Sequence, residues 1–141
     1  MELEIRSFRA EDEAAVIALW QSAGLTRPWN DPARDIARKL RMQPEWFLIG
    51  LVADAIVASV MAGYDGHRGW VYYLAVAPEH RRRGYARALM ERAEALLLEA
   101  SCPKVNLQVR GDNEEALGFY ERLGYATEER VNLGKRLEPD R

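Results

Sequence analysis

One cysteine, two histidines and no long apolar run are the first shortages in this 141-residue chain. A single thiol, Cys102, excludes an internal disulfide and a multi-cysteine metal site, and it suits a reducing compartment. His67 and His80 lack the spacing to carboxylates that marks ligation, so no metal is expected. The longest apolar stretches, 46–53 and 55–62, fall far short of the ~20 residues that a membrane helix needs. Met1-Glu2-Leu3-Glu4 is acidic where a secretory signal would be basic and then apolar, so a cytoplasmic location is expected. An excess of charge is missing as well. With 20 Lys and Arg against 22 Asp and Glu, the net charge of -2 argues against bulk attraction to nucleic acid or an anionic membrane. No Gly/Ser linker, repeat or low-complexity block interrupts the chain, so 1–141 reads as a single domain.

What is present reads as alternating elements. Leu3 to Phe8 alternates apolar and polar, as a strand does, and Val16, Leu19, Trp20 and Ala23 then recur at helical spacing up to Gly24. A loop with prolines at Pro28 and Pro32 precedes a helix expected to turn Ile36 and Leu40 inward. Trp46 to Ala53 and Ala55 to Tyr64 are strand-like runs joined tightly at Asp54, and Trp70 to Val76 continues the meander after a turn at 65–69. A helix to about Ala100, a strand at Val105 to Val109 and a helix at Asp112 to Leu123 follow, and Tyr125 to Leu137 is expected to supply one or two closing strands. The pattern predicts a mixed α/β sheet with a right-handed parallel unit from Trp70 to Val109.

The helix after the third run of the meander begins badly for a helix. Helix N-termini carry partial positive charge and unpaired N–H groups, which acidic or capping side chains usually satisfy. Here Arg81, Arg82, Arg83 and Arg87 crowd that end, and the first acid inside the helix is Glu91. A glycine-bearing turn between strand and helix can hold a phosphate group on converging N–H groups, with Gly84 and Ala86 keeping the approach low. A solvated basic turn is the plainer alternative. Neither G-x-x-x-x-G-K-[ST] nor G-x-G-x-x-G occurs.

Two blocks carry a family resemblance. Leu74-Ala75-Val76-Ala77-Pro78-Glu79-His80-Arg81-Arg82-Arg83-Gly84-Tyr85-Ala86 resembles the acyl-CoA signature of GNAT N-acetyltransferases, a strand and a proline followed by [Q/R]-x-x-G-x-[G/A]. Asn113 through Tyr120 to Gly124-Tyr125 is similar to the family's N-x(6)-Y-x-x-x-G-[FY] segment, in the same order along the chain. In outline the likeness spans the whole chain and is greatest to a group of small bacterial acetyltransferases. It implies a mostly antiparallel central sheet with a splayed parallel strand pair, flanked by about four helices. It also implies acetyl-CoA as co-substrate, with the pyrophosphate on N–H groups from Arg82 to Ala86 and Arg81 in the motif. Leu74, Ala75 and Val76 would line the pantetheine arm and Asn113 would face the cofactor; no magnesium would be required. Tyr120 would be the general acid that protonates the leaving thiolate, and a backbone N–H at Val76 would polarise the carbonyl.

The resemblance implies transfer of the acetyl group to a primary amine of a small molecule or a protein. The partners expected are therefore an amine acceptor, and a homodimer is compatible with the sequence; nucleic acid and membrane are not expected. Several relatives carry Glu on the strand before Asn113, where this chain has Gln108, which cannot take a proton. Glu79, Asp65, His67 or a water chain could replace that base, and a non-catalytic acyl-CoA sensor on the same fold is the alternative reading. Asp112 is expected to cap its helix with Glu115 completing a capping box, leaving the Asn113 amide free. Trp29 reads either as a wall of the acceptor pocket or as a buried pin between helices. Asp31 reads either as an attractor of a cationic amine or as a cap with Pro32 in the first helical position.

Overall fold

The computed structural model describes residues 2–140. Two compact units make up the chain: residues up to Leu107 together with Asp140, and Gln108–Pro139. In the first unit the elements are β1 (Glu4–Ser7), α1 (Glu13–Ser22), α2 (Pro32–Lys39), β2 (Phe47–Val52), β3 (Ala55–Tyr64), β4 (Gly69–Val76), α3 (Tyr85–Glu99) and β5 (Val105–Leu107). The second unit contains α4 (Glu114–Arg122).

The sheet runs β1-β2-β3-β4-β5, antiparallel for its first three pairings and parallel between β4 and β5. The parallel step needs a crossover, and α3 supplies it. All six residues of β2, Phe47-Leu48-Ile49-Gly50-Leu51-Val52, are buried. That explains why the segment reads as a continuous apolar run, since a strand covered on both faces has no reason to alternate. The β2–β3 hairpin turns on Ala53 (φ 49°) and Asp54 (φ 66°), both in the left-handed region, as a two-residue primed turn requires.

Leu89, Met90, Ala93 and Leu97 form the buried stripe of α3, and Val16, Leu19 and Trp20 that of α1. Phe8 stacks on Phe47 with ring centroids 4.5 Å apart, and Phe47 lies 6.2 Å from Trp20. At the other end of β4, a Cβ on Gly69 would come within 2.9 Å of Cys102 Sγ, so only glycine fits where α3 returns to the sheet. Cys102 is a buried free thiol.

Three expectations fail. Leu40 is exposed, because α2 stops at Lys39 and Leu40 is already its C-cap; Ile36 alone of the pair is buried. The strand at Val105 ends at Leu107 rather than Val109. Residues 125–137 form no strand among the described residues, and Val131, Leu133 and Leu137 are exposed. Their alternation is a local signal, whereas a strand exists only where a neighbour completes its ladder of hydrogen bonds.

Asp12 anchors the start of α1. Its carboxylate accepts from Arg6 at 2.8 and 3.1 Å and from the Arg9 N–H at 2.8 Å, while its side chain is 6% exposed. The Arg6 hydrogen bonds hold the Asp12 carboxyl below the ordinary aspartate range, against the opposing effect of burial. Asp12→Ala is expected to cost about 1.5–3 kcal/mol at neutral pH, the range for hydrogen bonds to a charged group. Because the folded pKa is depressed, this contribution is complete above the unfolded value of ~3.9 and disappears as pH falls through the folded value. Urea denaturation of both proteins from pH 7 to pH 2 checks it: the gap should be constant down to about pH 4 and then close.

Candidate active site

Beyond Val76 the chain makes a short 3-10 turn at Pro78–His80 and enters α3 through Arg81-Arg82-Arg83-Gly84. Arg82 (φ 65°) and Gly84 (φ 81°) take the left-handed region and Arg83 between them does not, the kind of alternation that turns successive N–H groups toward one point. Gly84 is the N-cap of α3, no side chain caps the helix, and its first turn holds no acid. No protein atom lies within 4 Å of a Cβ built on Gly84. The turn is therefore open to solvent, with exposed side chains at Arg81, Arg82 and Arg83 around it, while Tyr85 is buried and Ala86 partly so. An arginine in the left-handed region is costly for a purely structural turn, and such strain collects at functional sites.

The strand leading to this turn has an unpaired stretch of edge. β5 pairs with β4 only from Gly69 to Val71, so Tyr72–Val76 runs on with no strand on that side among the described residues. Ala77 N–H donates to Val57 O at 2.8 Å, and strand alternation then turns the backbone groups of Val76 and Leu74 away from β3. Arg81 Nε donates to Val76 O at 3.3 Å, which ties the turn to the strand and occupies that carbonyl; the Val76 N–H is not part of this bond. Ala75 is buried, and Leu74 and Val76 are half-buried. Leu74–Val76 and Arg81–Ala86 are thus brought together as an unpaired strand edge leading into a capless, arginine-flanked turn.

Tyr73 is the most constrained residue of β4. It sits at a bulge in the left-handed region (φ 56°), its ring stacks on Trp20 at 3.8 Å, and its hydroxyl donates to Asp35 Oδ2 at 2.6 Å. Burial first, and then the Asp35 carboxylate, push its phenol well above the ordinary tyrosine value. Asp35 also accepts from Arg38 at 3.2 Å, and Arg38 donates in turn to the buried Asp140 at 2.6 Å. Asp35 and Arg38 are an i,i+3 helix pair, but the Tyr73–Asp35 and Arg38–Asp140 pairings have no sequence signature, because their partners are 38 and 102 residues apart.

Trp29 lies in the loop before α2 and is 53% exposed, so it does not pin the helices from inside. Asp31 caps α2, accepting from Ala33 N–H at 3.0 Å and Arg34 N–H at 3.4 Å with Pro32 following, while its own N–H donates to Asp140. Asp65 accepts from the N–H groups of Arg68 and His67, both at 2.8 Å, which hold its carboxyl below the ordinary range and make it a poor proton acceptor. His67 is exposed in the same turn, and Glu79 is exposed beside His80. Among the described residues, no group of three or more His, Cys, Asp or Glu side chains could hold a metal ion. No helix of the described residues is long and apolar enough to cross a membrane.

In the second unit the cap of α4 is Asn113, not Asp112: its Oδ1 accepts from Ala116 N–H at 3.1 Å. The helix starts one residue later than the D-x-x-E pattern suggests, and Asn is as good a cap as Asp. Half of the Asn113 amide is therefore engaged, and only its NH₂ end stays available. Tyr120 packs edge-on against Phe119 at 5.1 Å and Tyr125 at 5.8 Å, and burial pushes its phenol up to about 12. Its hydroxyl makes no hydrogen bond among the described residues. Gln108 donates to Asn132 Oδ1.

A bulged strand thus opens at its edge into a capless, arginine-flanked helix start. Comparisons with known proteins give the class. The model of the acetyltransferase (GNAT) family matches residues 10–125. An acetyltransferase of Yersinia enterocolitica is 53% identical over 138 residues, 98% of each chain. Ard1 from Thermoplasma volcanium superposes with a TM-score of 0.81 at 31% identity, covering 89% of this chain and 84% of that one. The ribosomal-protein-S18-alanine N-acetyltransferase from Escherichia coli gives 0.74 at 25% identity over 87% and 77%. The chain belongs to the GNAT family of acetyltransferases.

The left-handed backbone at Gly84 predicts a cost of about 1–2 kcal/mol for Gly84→Ala, since a Cβ is disfavoured there although no atom obstructs it. Gly111→Ala, equally unobstructed and without a positive φ, should be near neutral. Thermal denaturation of the two variants in ligand-free buffer separates backbone strain from crowding.

Proposed function

We propose that the protein is an N-acetyltransferase that moves the acetyl group of acetyl-CoA to a primary amine by direct attack. The observation that carries the reading is the capless start of α3. Three exposed arginines at Arg81–Arg83, two left-handed residues and an unobstructed Gly84 make a cradle that no side chain caps, while Arg87 pairs with Glu91. A pyrophosphate suits it, because N–H groups from Arg82 to Ala86 can hold the anion without a metal ion. The pantetheine arm then runs along β4 as an added strand, using the Leu74 carbonyl and the Val76 N–H, with Asn113 contributing its free NH₂.

Chemistry at the thioester needs three things. The carbonyl oxygen gains negative charge as the amine nitrogen bonds to carbon, and a backbone N–H of β4 meets that charge. The carbon–sulfur bond then breaks with its electron pair on sulfur, and Tyr120 gives that sulfur a proton. A phenol held near 12 stays protonated throughout the physiological range, so it is ready as an acid and useless as a base. The amine must also lose a proton, and Asp65 is unsuited to take it, which leaves Glu79, His67 or water. Trp29 and Asp31 flank the acceptor. A protein N-terminal amine is one acceptor to test, on the precedent of the S18-alanine enzyme named above.

Calorimetry with acetyl-CoA in metal-free buffer is the test of the carrier site. Wild type should bind saturably and Gly84→Val should bind at least about tenfold more weakly, with Arg83→Ala losing less because exposed charge is screened. Equal affinity in Gly84→Val would overturn the assignment. For the chemistry, Tyr120→Phe should lower kcat ~10²–10⁴-fold with acetyl-CoA affinity little changed. No loss of rate should be traceable to Tyr120 ionisation as pH rises until the titration nears pH 12. Wild-type kcat in the variant would remove Tyr120 from the mechanism and leave the carrier site standing.

A further inference from the structure

Ser59 is a fully buried polar residue on a sheet face it shares with Phe47 and Ile49. Its Oγ accepts from the Trp20 indole N–H at 2.9 Å and donates to the Tyr73 carbonyl at 2.8 Å. Because the indole can only donate, the serine proton has one direction left, toward Tyr73. This bond falls at the bulge. Ser59 pairs with Ala75 and Met61 with Tyr72, so Tyr73 and Leu74 together face Val60 alone. The strained φ of Tyr73 is thus held from three sides: its carbonyl by Ser59, its ring by Trp20 and its hydroxyl by Asp35.

We propose that Ser59 is a positioning residue for acetyl transfer, fixing the Tyr73–Leu74 peptide so that the Leu74 N–H points to the open side of β4. A trans peptide sends its N–H opposite to its C=O, and no cis bond occurs among the described residues. With the Tyr73 carbonyl drawn toward Ser59 on β3, the Leu74 N–H faces away from β3, where β5 no longer runs. The hydrogen bond from Ser59 also polarises that peptide group and strengthens its N–H as a donor. Leu74 then supplies the N–H for the charge that develops on the thioester oxygen, while the N–H of Val76, about 6.6 Å further along the strand, is left to the carrier arm. Trp20 is the further link, since it fixes the rotation of the serine hydroxyl. The inference rests on acetyl-CoA lying along β4.

The experiment is an amide NMR titration of the full chain with acetyl-CoA and, separately, with coenzyme A, which has no acetyl oxygen. In wild type the Leu74 amide proton should move downfield with acetyl-CoA and much less with coenzyme A. Ser59→Ala should lose that acetyl-dependent shift, and Ser59→Thr, which restores a hydroxyl, should regain it. With a reactive amine, Ser59→Ala should lower kcat by about 10-fold or more, within the range for disturbing one oxyanion donor. KM for acetyl-CoA should change by less than about threefold, since ground-state binding does not use the extra polarisation. A structural role alone predicts a lower melting temperature with kcat per folded molecule and the Leu74 shift both intact, and that result would overturn the proposal. Should Ser59→Ala not fold, wild type decides: absence of an acetyl-dependent shift at Leu74, with other resonances moving, would overturn it. If acetyl-CoA moves no resonance at all, the carrier reading itself fails and takes this inference with it.

Discussion

Trp20 lies flat against Tyr73, and much of the first unit is arranged around that contact. The indole is completely buried, so α1 cannot shift along the sheet without exposing it or opening a void. Its N–H fixes Ser59 on β3, its face fixes Tyr73 on β4, and Phe47 on β2 closes the stack from the far side. One side chain therefore ties the first helix to three consecutive strands at the point where β4 departs from regular geometry. A bulge left to itself would relax toward even pairing. Here relaxation would break two buried hydrogen bonds and an aromatic stack, so the irregular strand is the stable one.

The same constraint explains why the open edge survives. Strand edges with unpaired N–H and C=O groups are hazards unless they are short, covered or interrupted. In this sheet the edge past Val71 is short, its bulge breaks the ladder repeat, and one carbonyl in it is taken by Arg81. Groups that a ligand needs can then stay available without offering a long template to another chain.

Legibility in the sequence followed the range of the interaction. The turn from Arg81 to Ala86 could be read directly, since its arginines, its glycine and its missing cap are neighbours in the chain. So could the β2–β3–β4 meander, because apolar runs and tight turns are local. Trp20, Ser59, Tyr73 and Asp35 could not be assembled, since each looks like an ordinary core or surface residue until the fold brings them within 4 Å of one another. Asp112 against Asn113 shows the opposite limit. Two good caps stood side by side, and only the backbone decided that Asn113 receives the Ala116 N–H. Past Tyr125 the alternation of Val131 and Leu133 with polar residues imitated a strand, but nothing in that alternation supplies a ladder partner.

The uncapped start of α3 carries a consequence for the lifetime of the protein. Exposed arginines, a positive helix end and unpaired N–H groups repel one another there, and no acid in the first turn of α3 relieves them, since Glu91 a turn further on pairs with Arg87. Any polyanion that fills the turn removes that repulsion in the native state and has no matching site in the unfolded chain. Occupancy at 100 times the dissociation constant then adds about 2.7 kcal/mol to the free energy of unfolding. With such a ligand bound, the helix that crosses over to β5 would be secured in part by a diffusible molecule, and resistance to unfolding and proteolysis would rise and fall with its supply.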